Sequence, residues 1–144
     1  MDEGFPGIQQ PKLCTLLKAI TEAPTTFDDP EGPSNEDKLM FMRETFSCPE
    51  CDIFTPFPYE DIWNAENPIN SKAGMYLCDL RITALDYLIE HGGYEEHKPF
   101  MTALYQYKLV NLAWRAKMRT KIDLHNIVVT LRNPPDGSAP PATH

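Results

Sequence analysis

A run of about twenty proline-free residues, opened by Asn70 or Ser71 and closed by Gly92-Gly93, limits what this 144-residue chain can fold into more than any other feature. Asparagine and serine side chains cap helix starts, and paired glycines supply the left-handed turns that end helices. The pattern predicts a helix over residues 71–91. At helical spacing Asp79, Thr83, Asp86 and Glu90 share one narrow stripe, while Leu77, Leu80, Ala84, Leu85 and Leu88 cover much of the remaining circumference. A helix apolar over so much of its surface needs neighbours on two sides, so it is expected at the centre of the fold. Arg81 stands off the stripe, and its expected place is along the rim with its guanidinium in water. Cys78, like Cys14 nearer the N-terminus, is expected as a small buried hydrophobe.

Before that helix, Pro11 suits a first turn, and Leu13, Leu16, Leu17 and Ile20 follow at i, i+3, i+4 and i+7, which predicts a helix from Pro11 to Glu22. Leu13 to Leu17 also fits the LxxLL docking pattern, but core contacts are the expected role of these leucines. Residues 23–33, acidic and rich in proline, read as a solvated loop. Ser34 with Asp37 three residues on resembles a capping box and opens a second helix to about Thr45. From 52 to 68, Pro56, Pro58 and Pro68 are set among Phe54, Phe57, Tyr59, Ile62 and Trp63, predicting an irregular aromatic segment laid across the helices.

After the central helix, Pro99 opens a fourth helix that carries Phe100, Leu104 and Leu112 and reaches Thr120. The β-branched content of Ile122 to Leu131 predicts a short C-terminal strand, free to pair within the chain or across a homodimer. The expected fold is mainly α: about four helices packed around the central one (71–91), with the irregular segment and that strand. Residues 1–132 form one compact domain whose first ten residues are loosely held, and the proline-rich 133–144 form a disordered tail.

A hydrophobic content of 42% and a charged content of 24% belong to an ordinary globular protein. No apolar run reaches the roughly 18 residues of a membrane span, and the N-terminus lacks the basic start and apolar core of a signal peptide. A cytoplasmic or nuclear location is the expectation. The net charge of −8 is uneven: residues 1–70 carry 14 acidic and 4 basic side chains, residues 71–144 carry 7 and 9. Overall acidity opposes general binding to nucleic acid or anionic membranes.

Three constellations can carry chemistry. Cys48-Pro49-Glu50-Cys51 places two thiolates on a tight turn, able to take adjacent corners of a zinc tetrahedron. His91 and His97 have a spacing used by paired histidine ligands, so Cys48, Cys51, His91 and His97 are the candidate ligands of a zinc staple between distant segments. Cys78 lies about 20 Å from His91 along a continuous helix and cannot share that metal. Read as a redox pair, the same CxxC lacks the preceding strand and following helix of a thiol oxidoreductase. The third constellation is basic: Lys108, Arg115, Lys117, Arg119 and Lys121, with no acid among them, form a candidate nucleic-acid interface, although cations also belong at the C-terminal end of a helix.

No glycine-rich phosphate loop, nucleophile elbow or HExxH is present. The leading expectation is a non-enzymatic regulatory or adaptor protein, of the kind viruses and phages use to modulate a host. It would bind protein partners through Phe54, Phe57, Tyr59 and Trp63. A nucleic-acid-binding regulator is the alternative, and a thiol enzyme the third reading.

Overall fold

The computed structural model describes residues 13–24, 32–47 and 59–132. These form five helices and no strand: α1 (Leu13–Glu22), α2 (Asn35–Phe46), α3 (Tyr59–Asn64), α4 (Pro68–His91) and α5 (Lys98–Arg132). Pro11, the acidic stretch 25–31 and the segments 1–10 and 133–144 lie outside the described residues.

The local signals act as their chemistry requires. Ser34 Oγ accepts from the Asp37 N–H at 3.1 Å and starts α2, which closes through Ser47 in the left-handed conformation at φ 52°. α4 begins three residues earlier than its sequence pattern implies. Asn67 Oδ1 accepts from the Ile69 N–H at 3.0 Å, and Pro68 takes the first turn, where its missing N–H costs nothing. At the other end Gly92 stays right-handed, and Gly93, with φ at +74°, makes the reversal.

α4 touches each of the other four helices, most extensively α5. The short connection 92–97 turns α5 back antiparallel to α4, so that Gly74 sits near Met118, Asp79 meets Arg115, and Asp86 meets Lys108. A Cβ on Gly74 would lie 2.6 Å from Met118 Sδ and 3.0 Å from Ile62 Cγ2, so the close approach of α3, α4 and α5 depends on this glycine. Two apolar clusters result. One gathers Ile20, Leu39, Met42, Tyr59, Ile62, Leu77, Leu80 and Met118; the other joins Leu16 to Leu85, Leu88, Tyr94, Phe100 and Leu104 near the α4–α5 turn.

Four expectations need correction. Ile122 to Leu131 is not a strand: it is the last part of α5, which has no proline or glycine after Pro99 to stop it. The aromatic segment is not irregular throughout, because Tyr59 to Asn64 is helical with Glu60 and Asp61 in its first turn. Arg81 is buried, donating to Tyr107 Oη at 2.5 Å between the rings of Tyr59 and Tyr107. Cys14 is exposed, whereas Cys78 is buried as expected.

Candidate interaction site

Several buried polar groups are matched to one another, while Asn35 Oδ1 and Ser71 Oγ have no hydrogen-bond partner among the described residues. Asp79, expected on a solvated stripe, is buried and receives Lys38 Nζ from α2 at 3.0 Å on one oxygen and Arg115 Nε from α5 on the other. Three helices thus meet on one carboxylate. Beside it, Tyr59 donates to Asn111 Oδ1 at 3.0 Å, and Asn111 Nδ2 donates to the Tyr107 carbonyl at 3.0 Å. Asn35 Nδ2 reaches the Ile20 carbonyl at 2.9 Å and ties α2 to the end of α1. Burial pushes the Cys78 thiol up to about 12 and raises the Tyr59 phenol above its usual range, so both are held neutral. A thiol so held is a poor nucleophile and a poor metal ligand.

The five cations of the basic stretch do not form one patch. Arg115 is committed to Asp79, Lys108 Nζ lies 2.7 Å from Asp86, and Arg119 pairs with Asp123 at 3.6 Å. Lys121 donates to the carbonyls of Trp63 and of Ala65, the latter at 2.7 Å. Lys117 stands over the rings of Trp114 and Trp63 at 4.4 and 5.0 Å. These two lysines fasten α3 to α5, using its exposed carbonyls and the indole face.

Of the expected partner-binding residues, Tyr59 is buried and stacked on Trp114, and Trp63 is half-buried under Lys117 and Lys121. Phe54 and Phe57 lie outside the described residues. So do Cys48 and Cys51. His91 and His97 are exposed on either side of the α4–α5 turn, His91 against the Tyr87 ring at 5.1 Å, and no group of three or more metal-ligating side chains occurs among the described residues.

The feature that sequence reading missed is the outer side of α5. Phe100, Leu104, Asn111, Arg115 and Met118 turn inward. At about 100° per residue the opposite side carries Leu109, Ala113, Ala116, Thr120, Leu124, Ile127 and Leu131, all exposed, with Leu109 at 64% and Leu131 at 76%. No charged residue between Thr102 and Leu131 falls among them: Lys117 and Asp123 border the strip at about 60° on either side, Lys117 drawn toward α3 and Asp123 paired with Arg119. No protein-family model, curated protein or solved structure matches this chain. Once 122–131 is read as helix, the i, i+3, i+4, i+7 spacing of Leu124, Ile127, Val128 and Leu131 is visible in the sequence, but only continuity with α5 shows that it faces away from the core.

Near the start of α4 a groove of about 440 Å³ opens between α4 and α5, with Ile69, Tyr76 and Ile122 in its wall and Lys72, Arg119 and His125 around it. Pro68, the first residue of α4, borders it with His125 and Asn126, so α5 continues about 9 Å past its neighbour.

Proposed function

We propose that the protein is a non-enzymatic regulatory or adaptor module that binds a protein partner along the outer side of α5. One observation carries the reading: a helical face with charge only at its borders, presenting Leu109, Leu124, Ile127, Val128 and Leu131 to solvent. A continuous apolar strip of this kind marks an interaction surface, since scattered single hydrophobics do not line up over several helical turns. A groove-seeking or helix-pairing partner recognises such a strip through its i, i+3, i+4, i+7 anchors. The acidic front half, by contrast, keeps Tyr59 and Trp63 for packing inside the chain.

The test places a photoactivatable benzoyl-phenylalanine at Leu124 or Ala113, with Glu36 on the exposed side of α2 as the control, in the full chain inside cells. Covalent protein adducts at 124 and 113 and none at 36 are expected. Equal labelling at all three positions, or none at any, sinks the reading.

A further inference from the structure

We infer that the partner on this face is a second copy of the chain, its α5 antiparallel to the first with Thr120 on the two-fold axis. The inference rests on the interaction reading above and names the occupant. Along the outer side, Leu109, Ala113, Ala116, Thr120, Leu124, Ile127 and Leu131 advance in steps of 4, 3 and 4 residues up to Thr120 and of 4, 3 and 4 after it. The order of steps reads the same from either end. Any helical stripe so centred has this symmetry, which permits the two-fold pairing of a patch with itself in reverse; what its side chains oppose decides whether it pairs.

The side chains agree with the spacing. Pairing through Thr120 sets Ala113 against the second copy's Ile127 and Ala116 against its Leu124, so large residues enter the space left by small ones, and Leu109 meets Leu131 at each end. In the parallel arrangement alanine would face alanine, leaving gaps at the centre. The seam extends about 33 Å along the helix.

Charges at the rim fit the same register. Arg119 and Asp123 are both about half exposed and lie 3.6 Å apart in one chain. The two-fold brings the second copy's Asp123 beside Arg119, so four charges of alternating sign close one edge. On the other edge Val110 comes to the second copy's Val128. Lys117 and Lys121, which would repel across that edge, are held back on the Trp63 ring and on the Trp63 and Ala65 carbonyls. The chain's net charge of −8 opposes self-association, but of that negative charge Asp123 alone borders the seam, beside Arg119.

Sedimentation equilibrium on the full chain should give twice the 16.4 kDa mass of one copy. Ala116→Glu, at an exposed position, should weaken the dimer at least tenfold with unchanged helical circular dichroism. Mild copper-phenanthroline oxidation in a background with Cys14, Cys48 and Cys51 changed to serine supplies the register: Thr120→Cys should form a disulfide dimer absent from that background, Ala113→Cys alone should not, and a mixture of Ala113→Cys with Ile127→Cys should cross-link between the two variants. Self-linking of Ala113→Cys would show parallel pairing and overturn the inference. A monomer at every attainable concentration would overturn it too. A monomer that still gives adducts from position 124 in cells removes self-pairing alone, whereas a monomer without such adducts removes the docking reading as well.

Discussion

Lys38 Nζ and Asp79 Oδ2 lie 3.0 Å apart with their side chains 2% and 1% exposed, and Arg115 approaches the same carboxylate from the far helix. The carboxylate holds two buried cations in place, so its loss costs more than a hydrogen bond. Asp79→Asn should destabilise the protein by about 3–5 kcal/mol in urea unfolding, because it leaves buried positive charge unneutralised. A loss below about 1 kcal/mol would mean that the cations relax out to water.

Cys78 gives the alkaline limit of stability a defined sign. Its thiol is raised from about 9 to about 12 by burial, so the folded state binds a proton that the unfolded state releases first. That contribution is full below about pH 9 and is lost as pH rises toward 12, with Tyr59 adding a loss of the same sign. Melting curves of Cys78→Ala should therefore fall less steeply above pH 9 than those of the parent. An identical slope would refute the assignment.

Gly74→Ala tests the three-helix approach. Alanine favours a helix interior by about 1 kcal/mol over glycine, yet its methyl would meet Met118 Sδ at 2.6 Å, and Met118 is fully buried. Overpacking costs about 1–3 kcal/mol, so the net effect in a thermal melt should be destabilising. Made in a Met118→Ala background, where that sulfur is gone, the same Gly74→Ala change should be less destabilising or favourable, although Met118→Ala itself costs about 2–5 kcal/mol.

Lys121→Met removes the donor to the Trp63 and Ala65 carbonyls. Hydrogen exchange of residues 59–65 should accelerate by about 10-fold, corresponding to roughly 1–1.5 kcal/mol of charge-assisted bonding, while α4 is unaffected. Uniform acceleration across the chain would show that α3 does not open separately.

His91 and His97 are exposed, so the double change to alanine should alter stability by no more than about 0.5 kcal/mol if no metal is bound. A larger drop, reproduced in the parent by a chelator, would instead support the zinc staple with Cys48 and Cys51.

α4 was legible because its signals are local: an uninterrupted apolar run, a closing glycine pair, and a circumference too greasy for a surface helix. The cap moved by three residues because Asn67 and Pro68 compete with Asn70 and Ser71 on equal chemical terms. Asp79 was misread for a different reason. Spacing groups it with Thr83, Asp86 and Glu90, but its partners are 41 residues before it and 36 after it, and no window along the chain contains all three. Ile122 to Leu131 shows the converse error, where β-branched composition outweighed the absence of any helix-stopping residue. The outer face of α5 disappeared from view with that error, since a strand has no outer side to continue.

The separation of Lys38 from Asp79 also fixes an order of events during synthesis. At 5–20 residues per second, the 41 residues between them take roughly 2–8 s to translate. α2 is therefore made well before its counter-ion, and the α4–α5 hairpin that buries it is made later still. Hydrogen exchange on arrested nascent chains should find α2 amides unprotected in chains that stop short of Asp79 and protected in chains that extend past α5. Until then the newborn front half is an acidic chain whose lysine awaits its counter-ion, and the folding of α2 is completed by residues translated seconds after it.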